Sequence, residues 1–172
     1  IPSRLVGSEM CIRDRFGRMA MNDYETAALV AGGHTFGKSH GAASESYKGP
    51  DPEASKLQDQ STGWNSGYKS GKGVDTISSG IEGAWTQNPT KWDMGYLDCL
   101  YGHDWELTKS PAGAHQWTPK KNGQKIKMVP DAHQKGVLHP PMMQTTDISM
   151  KVDPSYGPIT KHFHQNPKEF HD

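Results

Sequence analysis

Residues 31–40, AGGHTFGKSH, set two consecutive glycines directly ahead of a histidine, followed by a lysine and a second histidine. His34 falls on the stripe of Ala27, Val30 and Ala31, at the i, i+3, i+4, i+7 spacing of one helical face. Each glycine costs a helix about 1 kcal/mol relative to alanine, so a pair of them beside a metal-binding side chain needs a physical reason. Zinc is a poor one. Its second histidine would stand at i+4, where Lys38 is, and His40 is turned about 120° around the helix. A large planar cofactor explains more. Helical side chains lean toward the preceding turn. Gly32 and Gly33 leave that turn bare, so a flat macrocycle could lie against the backbone with His34 beneath its metal. The plain alternative is a structural histidine near a helix end.

Nine histidines, eight methionines and five tryptophans among 172 residues favour site chemistry over a plain scaffold. His162, His164 and His171 would be the donors of a generic metal-binding module, but their spacing supports one only weakly. Nineteen basic and nineteen acidic side chains leave a formal net charge of zero. That balance argues against a broad electrostatic grip on nucleic acid or an acidic membrane. No apolar run approaches the roughly 18 residues that span a bilayer, and the expected location is the cytoplasm. Cys11 and Cys99 form no CxxC pair, so neither a disulfide framework nor a zinc ribbon is indicated. Cys99 reads as a small buried residue.

The length suits one domain with one core. Residues 16–38 are expected to hold the clearest helix, with Asn22 and Glu25 in a capping-box pattern and YETAALVAGGHTFGK following. Residues 39–73, rich in Gly, Ser and Pro, read as an irregular loop too long for an ordinary connection. Residues 75–85 are ambiguous. PTKWDMGYLDCLYG, 89–102, reads as a helix ending at Gly102, with Trp92, Tyr96, Cys99 and Leu100 on one side. WELTKSPAGAHQWTPK, 105–120, alternates around Pro-Ala-Gly as a β-hairpin. Residues 119–141 are polar and loop-like. Asp153-Pro154 and Asn166-Pro167 each signal a helix start, with an N-cap side chain and proline at the first helical position.

LVGSEMCIRDR, residues 5–15, has no apolar period and resembles the translation of a transposon-end adapter used to fragment DNA for sequencing. Residues 1–15 are therefore expected to be foreign to the native chain and to take no part in its fold. The final helix has only begun at Asp172, so 16–172 is expected to be a partial domain truncated at both ends.

RMAMNDYETAALVAGGHTFGKSHG, residues 18–41, resembles the proximal-helix signature of the catalase-peroxidases, bifunctional members of the class I haem peroxidases. The likeness continues through SSGIEGAWTQNPTKWD, YGHDWELTKSPAGAHQWTPK and MMQTTDISMKVDPSYGPITK, and covers essentially residues 16–172. It implies a mainly α fold, the proximal part of the haem peroxidase fold, with the long loop and the small hairpin as additions. It also implies haem b with its iron, hydrogen peroxide and small electron donors as partners, and a homo-oligomeric parent. The implied reaction is disproportionation of hydrogen peroxide to water and oxygen, with donor oxidation through a ferryl haem intermediate.

The resemblance also implies residue roles. His34 matches the axial ligand of the haem iron. Asp147 matches the buried carboxylate that accepts a hydrogen bond from the ligand's other ring nitrogen, and Trp85 the proximal tryptophan bonded to that carboxylate. A carboxylate behind a ligating imidazole makes it more electron-donating. Read without the resemblance, Asp147 is a turn or cap residue and Trp85 a core residue. Lys38 and His40 match positions beside a haem propionate, against the plain reading of a solvated helix end. Ser79 matches the mouth of the haem access channel. Met19 matches the methionine of a Met–Tyr–Trp adduct whose other two members, like the distal His, Arg and Trp, would lie upstream. The chain by itself is accordingly expected to be a poor catalyst.

Two other readings compete. A monofunctional class I peroxidase, of the ascorbate or cytochrome c type, is disfavoured by Met19, the 41–73 loop and LTKSPAGA. A non-catalytic structural half of a catalase-peroxidase would lack the axial histidine, so GGHTFGK argues against it.

Overall fold

Asn22 starts the helix that leads to His34. Its side chain accepts a hydrogen bond from Glu25 N at 2.9 Å, and Glu25 Oε2 accepts one from Asn22 N at 2.9 Å, completing the expected capping box. In the computed structural model, which describes residues 3–59, 65–120 and 126–171, helix α2 runs Asp23–Gly33. The helix expected within 16–38 thus opens where its cap predicts and stops at Gly33, short of Lys38. Helix α1 spans Ser3–Gly17, and the chain reverses through Ala20, whose φ is 58°. His34 is the C-cap of α2, and Gly37, at φ 74°, turns the chain away.

Ile12 and Arg13 correct a second expectation, because they take part in the fold. Ile12 is buried in the main core and Phe16, one turn on, packs against it. Arg13 pairs with Asp23 at 3.2 Å and with Asp153 at 3.7 Å. Its guanidinium also lies 5.1 Å from the Tyr156 ring centroid. Ile12, the last large apolar side chain of residues 5–15, pairs at i, i+4 with Phe16 beyond it, and the two place α1 against the core.

Helix α3 runs Gly95–Gly102, beginning after Trp92 rather than including it. Strands β1, Trp105–Lys109, and β2, His115–Pro119, form the expected antiparallel hairpin, with Trp105 opposite Pro119 and Lys109 opposite His115. Gly113, at φ 91°, closes its turn. A second two-stranded ribbon pairs β3, Val129–Pro130, with β4, Leu138–His139, inside the segment expected to be loop. Helix α4, Thr145–Val152, follows in a stretch where a turn or cap was anticipated. Helix α5 spans Tyr156–Gln165 and α6 Pro167–His171. Asp153 Oδ1 accepts from Ser155 N and Tyr156 N at 2.8 and 2.7 Å, so the expected carboxylate does open α5. Pro154 lies in the preceding turn rather than at the first helical position.

The described parts of 39–75 are irregular, with short 3-10 turns at Glu45–Tyr47, Pro52–Ala54, Leu57–Asp59 and Gly73–Asp75. Residues 60–64 lie outside the described residues. Ala27 and Ala31 of α2, Tyr96, Leu97 and Leu100 of α3, Met150 of α4 and Phe163 of α5 form the middle of the core. Each of the large apolar side chains there contributes about 2 kcal/mol on leaving water. Among the described residues, no helix is long and apolar enough to cross a membrane.

Candidate functional site

The core just described encloses the carboxylate of Asp147. Asp147 sits in the first turn of α4 with its side chain fully shielded from solvent. A buried carboxylate is tolerated only where hydrogen bonds replace its water. Here four donors do so. His34 Nδ1 lies 2.7 Å from Oδ1, and the Tyr96 hydroxyl donates to the same oxygen at 2.9 Å. Trp85 Nε1 donates to Oδ2 at 2.9 Å, and Gln144 N donates to Oδ2 at 2.7 Å. These occupy the four or so lone-pair positions that a carboxylate offers. The cap reading and the buried-carboxylate reading of Asp147 therefore meet in one residue.

His34 and Trp85 stack as well, with ring centroids 4.1 Å apart and planes 11° from parallel. Tyr96 presents an edge to the imidazole, with centroids 5.7 Å apart. Burial above all, and then the charge of Asp147, pushes the Tyr96 phenol far above its usual range, so its hydroxyl remains a donor.

His34 Nδ1 is committed to Asp147, and among the described residues its Nε2 has no hydrogen-bond partner. The side chain is 23% exposed. Gly33, directly before it, faces open space: a Cβ there would meet nothing within 4 Å. Gly32 does something else. A Cβ on it would lie 3.0 Å from Trp92 Cη2, so this glycine admits an indole of the chain itself. The expectation that both glycines clear room for a cofactor is corrected to Gly33 alone. Among the described residues no group of three or more His, Cys, Asp and Glu converges as a bare cation would want. A metal already held in a planar chelate needs only one axial nitrogen, and the residues around His34 fit that group.

His162, His164 and His171 do not converge. His162 faces Glu169 at 2.7 Å, His164 faces Asp98 at 3.0 Å, and His171 Nδ1 accepts from Trp92 Nε1.

Lys38 is anchored rather than free, with Nζ 2.5 Å from Glu82 Oε1. Glu82 Oε2 accepts from Gly41 N at 2.7 Å. Its backbone is gripped by the Gln116 side chain, which accepts from Glu82 N and donates to Glu82 O, each at 3.0 Å. The hairpin thereby fixes the segment that leads into Trp85. His40 is half-buried, and burial followed by the Lys38 charge holds its imidazolium below the usual histidine range. A cleft of about 920 Å³ runs beside Lys38, Glu82, Gln116 and His139; His34 does not line it.

Ser79 is exposed beside a smaller cavity of about 280 Å³, its hydroxyl 3.4 Å from Ile81 O. Met19 sits in the α1–α2 turn, 58% exposed. Among the described residues neither is hydrogen-bonded to the Asp147 cluster. Tyr96, Glu82 and Gln116 were not legible as site residues. Tyr96 showed only as one apolar position of α3, and the two others meet their partners across more than thirty residues of chain.

The family model described as Peroxidase matches residues 3–166. The Catalase-peroxidase of Koribacter versatilis is 61% identical over 162 residues, covering 94% of this chain and 21% of that protein. That of Maridesulfovibrio salexigens is 59% identical over 167 residues, covering 97% of this chain and 23% of the relative. That of Desulfitobacterium hafniense is 59% identical over 161 residues, covering 94% and 22%. The chain thus spans a little over one fifth of the length of these relatives. A match that runs from α1 through α5 takes in His34, Trp85, Tyr96 and Asp147 together, and it makes this chain a member of the peroxidase family.

Proposed function

We propose that this chain is the part of a bifunctional catalase-peroxidase that holds haem b from its proximal side, with His34 as the axial ligand of the iron. The observation that carries the reading is one imidazole whose Nδ1 faces a buried, fully hydrogen-bonded carboxylate while its Nε2 has no partner among the described residues. The names of the relatives support the same reading. Bound haem supplies the redox chemistry that disproportionates hydrogen peroxide and oxidises small donors.

The protein's own contribution is positional. Asp147 keeps the proton on Nδ1, fixes the plane of the ring, and makes the imidazole a stronger electron donor. Trp85, bonded to the second carboxylate oxygen, holds an indole flat against that ring. Lys38 and His40 serve a haem propionate, and the Glu82 clamp keeps the Lys38 ammonium in place for it. Ser79 lines the approach channel, consistent with its exposure. Met19 supplies sulfur to the Met–Tyr–Trp adduct, and its exposed side chain suits a partner outside these residues. The same reading makes the parent a homo-oligomer acting in the cytoplasm.

Oxygen evolution from peroxide, measured beside oxidation of a small phenol by the haem-loaded full-length protein, tests this. Both activities are expected. Phenol oxidation without oxygen release would select the monofunctional class I reading, and neither activity would remove both.

A further inference from the structure

We infer that the Tyr96 hydroxyl is a positioning group that sets how strongly Asp147 binds His34, and so how strongly His34 donates to a metal. The inference rests on the reading of His34 as an axial ligand and adds a residue to it.

The argument starts from the carboxylate. Its two oxygens are not equivalent. Oδ2 receives two hydrogens, from the Trp85 indole and the Gln144 backbone, neither of which belongs to the ligand. Oδ1 receives the His34 Nδ1–H at 2.7 Å and the Tyr96 hydroxyl at 2.9 Å. Two donors on one oxygen compete for its electron density, and each weakens the other. Tyr96 is fully buried, and its ring stands edge-on to the imidazole. The hydroxyl therefore has no water to turn to, and the competition is built in. A phenylalanine would fill the same space, so packing alone does not call for the oxygen.

Removing the hydroxyl leaves Oδ1 to His34 alone. The Nδ1–H···Oδ1 bond then shortens, the imidazole gains anionic character, and Nε2 becomes the stronger ligand. Making the phenol a better donor has the opposite effect. Trp85 is touched less, because its bond is to the other oxygen.

Resonance Raman spectroscopy of the reduced, haem-loaded full-length protein tests this through the iron–imidazole stretching band. The unsubstituted protein reports first on the underlying reading: without such a band His34 is not the ligand, whatever Tyr96 does. Given the band, Tyr96→Phe is expected to raise its frequency at unchanged haem content. Replacement of Tyr96 by 3-fluorotyrosine, a more acidic phenol of nearly the same size, is expected to lower it. The second replacement keeps the test alive if the first fails to fold. A band at the same frequency in the folded variants, or shifts of one sign in both, would overturn the inference and leave Tyr96 a packing residue.

Discussion

The imidazole of His34 and the indole of Trp85 lie face to face, 4.1 Å apart and 11° from parallel, each hydrogen-bonded to a different oxygen of Asp147. One carboxylate thus sets the orientation of both rings. The segments that carry them, the end of α2, the irregular stretch before α3 and the start of α4, are far apart in sequence and meet at this charge.

Asp147→Ala is therefore expected to cost more than an ordinary core truncation. It strands four donors, those of His34, Tyr96, Trp85 and Gln144, two of them on buried side chains. A loss of about 3 kcal/mol or more follows from orphaned buried groups. Asp147→Asn, which retains one acceptor oxygen, is expected to lose less. Urea denaturation of the three proteins measures both, and equal midpoints would contradict the account.

The two glycines before His34 separate by substitution. Gly32→Ala drives a methyl to 3.0 Å from Trp92 and is expected to destabilise the fold by about 1 kcal/mol. Gly33→Ala meets nothing within 4 Å and is expected to leave the haem-free chain as stable or up to about 1 kcal/mol more stable. Its cost appears instead on haem titration, as weaker binding. Thermal melts without haem, set beside titrations, distinguish the two.

Asp131 gives the β3–β4 ribbon an acid-sensitive tie. The His133 backbone N–H first, with His139 and the Gln134 N–H, holds its carboxyl at about 2. A carboxyl depressed in the folded state stabilises above its unfolded value near 3.9 and loses that contribution as pH falls toward the folded one. Amide protection at His133 and Gln134, corrected for intrinsic exchange, is expected to be constant above pH 5 and to fall between about pH 4 and 2. Asp131→Asn removes that step; a step that persisted in it would belong to another group.

Cys99 and Cys11 are expected to behave as two different thiols. Burial pushes the Cys99 thiol up to about 11, whereas Cys11 is exposed. At pH 8 a disulfide reagent is expected to label one thiol per chain quickly and the second only in denaturant. Fast labelling of both in the native protein would show that α3 opens more readily than its packing implies.

How far the sequence spoke depended on how local the signal was. The Asn22–Glu25 cap, the 105–120 hairpin and the buried Cys99 are written in neighbouring residues, and each is found where expected. The β3–β4 ribbon and helix α4 were not legible, because each is too short to show a period. The helix opened by Asn22 was over-read only at its far end, where it was carried on to Lys38. Its apolar stripe does reach His34, but the chain leaves the helix there and the left-handed Gly37 turns it away before Lys38. The adapter-like wording of residues 5–15 remains our proposal for their origin, since a foreign stretch that offers Ile12 one turn before Phe16 of the following chain still docks on the core. His34, Trp85 and Asp147 were named through a family likeness rather than through spacing. Tyr96 escaped because nothing but its hydroxyl sets it apart from a core residue.

Exchange of the His34 imidazole tests the central claim, that it is the axial ligand, most directly. In the haem-loaded full-length protein, His34→Gly removes the imidazole and opens a space that free imidazole fits. The account predicts a changed Soret band and weakened haem retention in the variant, with the original spectrum restored by added imidazole. An unaltered spectrum and unaltered haem retention in His34→Gly, with no response to imidazole, would contradict it.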